Sequence, residues 1–416
     1  MSLTHRSVTI GTAFSKTASV ITETPMTALE RRTVSSLALL YGIRMLGLFM
    51  VLPLLALYAA DIPGASPTLI GLALGAYGLS QALLQIPFGW LSDRVGRKPV
   101  IVAGLIVFAL GSIVAAGAET VYGIVLGRAM QGAGAIAGTV MALVADLTRD
   151  EQRTKAMALV GVSIGISFAL ALIVGPLVAA WGGLTAVFYF TALLAVAGIA
   201  ITWLLVPSPE ASGAIKGTQG TDLASLARSF RNPALAQLNL GIFVLHFILM
   251  ACFLAVPALL EVVAGVAREH HWQVYLPVLT LSIIGMLPMM RLAERDGRSR
   301  EMFAIGIALV LLSIGVLAYA RGAILFYLGM WLFFVGFNYL EANLPSLVSK
   351  TATAEHRGAA MGVYSSCQFC GAFAGGAGGG WVLQYAGLEA LFVLCMALAA
   401  LWLWTAWSRP PQAAQP

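Results

Sequence analysis

Charge is what this 416-residue sequence has least of. Asp, Glu, Lys and Arg together make up 10% of it, against about 25% in soluble domains. Hydrophobic types make up 59%, and mean hydropathy is +0.89. Too few polar residues remain to coat a globule of this length, which excludes a soluble globular enzyme and a disordered chain. Cysteine is scarce too. Cys252, Cys367, Cys370 and Cys395 all fall in apolar runs, so no disulfide framework is implied. Cys367 and Cys370 have C-x-x-C spacing; on a membrane helix that reads first as small residues at a tight contact, and second as a metal or redox pair. There is no H-E-x-x-H and no phosphate loop. The chain therefore does not read as an enzyme or as its own ATPase, and no metal or cofactor is expected. The net charge of +6 gives no nucleic-acid footprint, because the basic residues sit at the ends of apolar runs and not on one patch.

Long apolar runs are what the sequence has in abundance. A membrane-crossing helix needs about 20 mostly apolar residues. Twelve such runs can be counted, at roughly 36–60, 68–90, 100–118, 121–145, 156–180, 185–206, 235–260, 272–293, 302–320, 323–349, 357–384 and 387–407. The least distinct breaks are at 119–121 and 321–322. Connections are short except at 207–234, a polar stretch bounded by prolines. The expectation is an all-α integral membrane protein with twelve transmembrane helices in two six-helix bundles, 36–206 and 235–407, joined by a cytoplasmic linker, 207–234. Residues 1–35 read as a disordered cytoplasmic tail without the apolar core of a signal peptide, with Met26 a second plausible start; 408–416 read as a cytoplasmic tail. Lys and Arg set the orientation. Twenty of the 24 lie at one set of run ends and only Arg268 and Arg321 at the other, which places both termini in the cytoplasm. Arg44 and Arg128 lie inside runs.

The two halves repeat each other. PFGWLSDRVGRKP (87–99) and PMMRLAERDGRSR (288–300) align at an offset of 201, pairing Pro87 with Pro288, Asp93 with Glu294, Arg94 with Arg295, Gly96 with Gly297 and Arg97 with Arg298. EQRTKAM (151–157) and EHRGAAM (355–361) align at 204. Parallel repeats of this kind relate two bundles by an axis along the membrane normal, with transport sites at their interface.

GWLSDRVGRKP (89–99) resembles the signature loop between helices 2 and 3 of the major facilitator superfamily. LGRAMQGAGAIAG (126–138) resembles that superfamily's helix-4 signature, with Arg128, Gln131 and Gly132 in place. GVSIGISFALALIVGP (161–176), with Gly161, Gly165, Gly175 and Pro176, resembles the helix-5 signature of its drug/proton antiporter branch. The resemblance covers residues 30–408. IRMLGLFMVLP, ADLTRDEQRTKAM and FNYLEANLPSLVSK are similar to one group of bacterial inner-membrane members, some of which carry a soluble domain after helix 12. This sequence ends at Pro416, so no role of such a domain is carried over.

The resemblance implies alternating access, with a small-molecule substrate and protons as partners. It implies a chain acting as a single copy in the bacterial inner membrane. Asp93, Arg94, Arg97 and Lys98, in a loop turned by Gly96 and next to Gly89, then form a gate and not only a topology-fixing charge cluster. Asp93 is expected to face the N-terminal end of helix 11 and Arg97 to pair with Asp146, closing the cytoplasmic side in one of two states.

Ionisable groups inside spans are costly and mark function by default. Arg44, Arg128, His246 and Glu341 qualify, and they fall one on each of spans 1, 4, 7 and 10, which line the central cavity in the superfamily. Asn338 and Glu341, three apart, form a polar stripe on span 10. Arg44 and Glu341 each lie eight residues from the cytoplasmic end, about 12 Å deep, which allows attraction between them. Glu341 is the leading proton carrier, since a carboxyl taken out of water holds a proton more readily and a nearby arginine releases it. Arg128 reads equally as a structural donor to backbone carbonyls or as a proton relay, and His246 as a hydrogen-bonded interior residue. Asp61 reads as a solvated loop residue. Helix 1 carries Arg44 where many drug/proton antiporters have an acid, which departs from a cationic-drug mechanism. The leading function is proton-coupled efflux of amphipathic or drug-like solutes. The alternative is a proton-coupled importer or facilitator of a sugar, amino acid or other metabolite.

Overall fold

The computed structural model describes residues 25–207, 223–295, 297–353 and 356–408, and these are almost entirely helical. The first half is α1 (Ala28–Tyr58), α2 (Pro67–Val95), α3 (Arg97–Ala116), α4 (Val121–Ala133), α5 (Ala137–Asp146) and α6 (Asp150–Leu204). A short helix, α7 (Leu223–Arg231), precedes the second half: α8 (Pro233–Ala264), α9 (Trp272–Arg295), α10 (Ser299–Tyr319), α11 (Ala323–Thr351), α12 (Arg357–Tyr385) and α13 (Gly387–Ser408). The tail 1–24, most of the linker (208–222) and the stretch 409–416 lie outside the described residues.

Among the described residues, ten helical stretches are long and apolar enough to cross a membrane. One of them, Glu151–Leu204, has 54 residues. At 1.5 Å per residue that is about 80 Å, well over twice the ~30 Å hydrocarbon core. It is broken at Gly182 and Gly183, the latter at φ +63°, and so supplies two crossings. Adding α12, which is 29 residues long but diluted by glycine, gives twelve.

Helix starts follow local chemistry. Ser66 caps α2 through Leu69 N–H, with Pro67 at the first position. Asn232 caps α8 in the same way, with Pro233 following. Gly96 and Gly297, paired by the internal repeat, both adopt positive φ, +106° and +65°. That left-handed turn is open to glycine and strained for other residues.

Several boundaries differ from the sequence reading, and two of the differences have a visible cause. The tail expected over 1–35 is helical from Ala28. Thr27 and Glu30 form a reciprocal capping box, and Arg149 clamps Glu30 with its backbone N–H at 3.0 Å, its Nε at 2.9 Å and its Nη2 at 2.9 Å. The Glu30 carboxylate raises the Arg149 guanidinium further above its usual range. The run 121–145 is two helices, α4 and α5, because Gly134 leaves helical geometry at ψ 51°. There the backbone presses on α3, where a Cβ on Gly134 would collide with the Gly104 carbonyl.

Within the halves, α1 packs along α6, and α3 along α4 and α6; α12 packs along α8, and α10 along α11. Between the halves the main seam is α2 against α12. Small residues let the backbones approach closely. A Cβ on Gly71 would collide with the Gly376 carbonyl, one on Gly75 would lie 2.8 Å from the Phe373 oxygen, and one on Gly78 would lie 2.7 Å from the Phe369 oxygen. Inside the second half, a Cβ on Gly375 would reach 2.6 Å from Phe247 Cα. Gly375→Ala is therefore expected to destabilise the protein by about 1–3 kcal/mol through overpacking. Gly161→Ala, where nothing lies within 4 Å, should be neutral or stabilising by up to about 1 kcal/mol. Thermal melting of the two variants in detergent checks the contrast.

Candidate functional site

The helix-signature residues separate in this fold. Gly175 abuts α1, its Cβ position 3.2 Å from Leu54 Cδ1 and 3.4 Å from the Met50 carbonyl, and Pro176 follows inside α6. Gly161 and Gly165, the other glycines of the helix-5 signature, have no neighbour within 4 Å of a Cβ position. The same holds for Gly89.

The charged loop between α2 and α3 is held by Arg97. Its guanidinium bonds Asp146 at the end of α5 (Nε to Oδ2, 3.0 Å), the Ser92 hydroxyl (2.6 Å) and Asp93. The expected Arg97–Asp146 pair is thus present. The Asp93 carboxylate is taken by Arg97 on its own loop. The approach to α12 includes residues 354 and 355, which lie outside the described residues. The Arg94 guanidinium carbon lies over the Trp90 ring, 3.8 Å from its centroid. Lys98 sits in the first turn of α3.

At the other end, Arg268 ties the halves together. It bonds Asp61 after α1 (3.0 Å) and Glu261 on α8 (3.4 Å) and lies 5.2 Å over the Tyr58 ring. Asp61, expected to be merely solvated, is still two-thirds exposed but paired. Beside it, Thr68 N–H donates to Gln384, and the Thr68 hydroxyl reaches the Gly380 carbonyl.

The four in-span ionisable residues fall into two groups, one per half. Arg44 and Arg128 are fully buried in the first half, 1% and 0% exposed. Arg44 Nη2 donates to Tyr77 Oη (2.8 Å), Gln81 Oε1 (3.0 Å) and the Gly134 carbonyl (3.3 Å). Arg128 donates to Gln131 (2.7 Å), which in turn donates to Ser112 (2.7 Å), and to the Ala73 carbonyl (3.4 Å). Both guanidiniums share the Tyr77 ring, at 6.0 and 5.0 Å. The attraction expected between Arg44 and Glu341 is not what the structure shows. At the break between α4 and α5 the Gly134 carbonyl accepts from both Ile136 N–H and Arg44, and with the phenol and amide of α2 it draws Arg44 into its own bundle.

Glu341 and His246 do meet. Gln368 of α12 places its amide nitrogen 2.9 Å from His246 Nε2 and 3.1 Å from Glu341 Oε1. The imidazole and Glu341 Oε2 are 4.0 Å apart. His246 Nδ1 is 3.3 Å from the Ile242 carbonyl, which only accepts, so the ring proton is assigned there and Nε2 is a lone pair. The His246 ring lies 5.9 Å from that of Phe337. Glu341 Oε2 has no hydrogen-bond partner. Asn338, one turn earlier, is drawn away to Ser282 of α9 at 2.9 Å. A polar path crosses the seam nearby, from Gln81 to Gln85 (3.3 Å) to Ser365 of α12 (3.4 Å).

The sequence reading, led by ionisable groups and family signatures, missed Gln81, Gln85 and Gln368. Their signal was an amide in an apolar run, which is also unfavourable in a membrane unless paired.

Comparison with known proteins bears on the whole chain. Residues 37–283 and 267–416 match the Major Facilitator Superfamily. The chain is 45% identical to the "Inner membrane transport protein YajR" of Escherichia coli (strain K12) over 385 residues, 91% of this chain and 83% of that one. It is 27% identical to "Multidrug resistance protein MdtH" of Aeromonas hydrophila over 83% of this chain and 86% of that one. Among solved structures, a bacterial homologue of the human lysosomal transporter Spinster shares the fold at a TM-score of 0.73 with 14% identity, covering 92% of this chain and 98% of that one. A twelve-crossing helical fold, an internal repeat and a match along nearly the full length converge on one conclusion: this chain belongs to the Major Facilitator Superfamily.

Proposed function

We propose that this secondary transporter is a proton-coupled exporter of small amphipathic or drug-like solutes. It works by alternating access, as a single copy in the bacterial inner membrane with both termini in the cytoplasm. The observation that carries the proton step is the Glu341–Gln368–His246 cluster. A carboxylate inside α11 is bonded to a neutral amide, has one free oxygen and has an imidazole 4.0 Å away. A carboxylate placed at membrane depth without a paired cation is suited to pick up and release a proton. The seam between halves supplies the moving parts. Arg97, held by Asp93 and Asp146, is the gate element at one end, and Arg268, bridging Asp61 and Glu261, is its counterpart at the other. The name of the MdtH relative supports a drug-like cargo, and that of the YajR relative supports the inner membrane.

Proteoliposomes with an imposed pH gradient and a panel of labelled solutes test this. Exchange of protons for solute accumulates solute in acid-inside vesicles. Accumulation in acid-outside vesicles identifies a symporter, and uptake indifferent to the gradient identifies a facilitator; either result overturns the proposal.

A further inference from the structure

We propose that Gln368 is the positioning residue that ties the Glu341–His246 pair to α12, so that proton uptake at the pair loosens α12 from α8 and α11. This rests on the reading of Glu341 as the proton site and goes beyond it.

The chemistry of the amide carries the argument. Its nitrogen faces two acceptors, His246 Nε2 at 2.9 Å and Glu341 Oε1 at 3.1 Å. An NH2 group has two hydrogens and nothing to accept with, so both bonds exist only while both partners offer lone pairs. The opposite amide orientation would set its oxygen against those same lone pairs. A proton on His246 Nε2 or on Glu341 Oε1 turns an acceptor into a donor and breaks one of the two bonds. A proton on the free Oε2 lets the acid turn to His246 Nε2, 4.0 Å away, with the same result. Each bond joins α12 to a different helix: His246 is on α8 and Glu341 on α11.

The position of Gln368 in the fold gives the break its consequence. α12 is the helix with extensive packing on both α8 of its own half and α2 of the other. Three residues before Gln368, Ser365 meets Gln85 across the seam at 3.4 Å. The titratable groups facing Glu341 are His246 from α8 and Tyr364 from α12. From α9, Ser282 is occupied by Asn338. α10 packs Gly306 on Tyr339 and Leu340. Among the described residues no arginine or lysine is ion-paired with Glu341.

The test needs no substrate. In a cysteine-free background, spin labels at Leu240→Cys on the exposed face of α8 and at Gly358→Cys on α12, which has open space around it, report the separation of α12 from α8. The infrared band of the protonated carboxyl reports protonation itself. A one-proton linkage moves a two-state ratio by at most tenfold per pH unit. In the otherwise wild-type protein the ratio of the two label distances should change by about fivefold or more per unit near the midpoint. Gln368→Met keeps the length and removes both donors. It should keep the pH-dependent carboxyl band and lose the distance response to less than about 1.5-fold, and Gln368→Asn should recover part of it. A full distance response in Gln368→Met, with the response lost in Glu341→Gln, overturns the role of Gln368 and leaves the proton site standing. A full response in Glu341→Gln removes the proton site as well.

Discussion

Glu341→Gln is expected to abolish proton-driven accumulation while leaving the fold in place. In a one-proton exchanger a pH gradient of one unit is about 1.4 kcal/mol and sustains about a tenfold solute gradient. The variant should bring that ratio to about one, with downhill exchange of solute retained. The fold survives because the substituted side chain has the same size and still offers a carbonyl oxygen to Gln368, whose amide now reaches Glu341 at 3.1 Å. No salt bridge is lost, since among the described residues Glu341 is ion-paired with no lysine or arginine and the His246 Nε2, 4.0 Å away, carries no proton. Melting temperature and membrane insertion should match the wild type. If the variant accumulates solute as well as the wild type, another group carries the proton.

Asp93→Asn is expected to lower transport at least tenfold at unchanged expression and melting. Arg97 has three anchors, Asp93, Asp146 and Ser92, and the substitution removes the charge of one. The Asp93 side chain is 31% exposed, and a partly exposed pair contributes only about 0.2–1 kcal/mol to stability. Melting is therefore a poor reporter of this site. Transport is a good one, because a gate needs differential contacts between two states, and each 1.4 kcal/mol of lost bias changes their ratio about tenfold. Near-normal transport by Asp93→Asn eliminates the gate.

The membrane fold was legible because hydrocarbon enforces helix length, and length survives in sequence as apolar runs. What those runs hide is where a helix begins or breaks inside the same polarity. Thr27-x-x-Glu30 is a capping signature that a search for apolar runs passes over, and α1 starts there. The break at Gly134 depends on contact with α3, which no local pattern encodes. Selecting ionisable residues found Arg44, Arg128, His246 and Glu341, and left open how they pair. Depth along a helix was the wrong guide, because Arg44 and Glu341 share a level yet face different interiors. The azimuth of each side chain is set by packing against its neighbours. Gln368 and the Asp61–Arg268 pair, 207 residues apart in sequence, appear only when the chain is folded.

The glycines of α2 and α12 have a mechanical consequence. Most helix pairs interlock side chain into groove, like gear teeth, and resist rolling. Where Gly71 and Gly75 lie on Gly376 and Gly380, the teeth are missing and carbonyl rests on α-carbon. Such a surface behaves as a plain bearing: it holds two bodies at fixed distance while offering little friction to rotation. A single methyl at Gly71 or Gly376 would act as a peg in that bearing, jamming the motion before it unfolded either body.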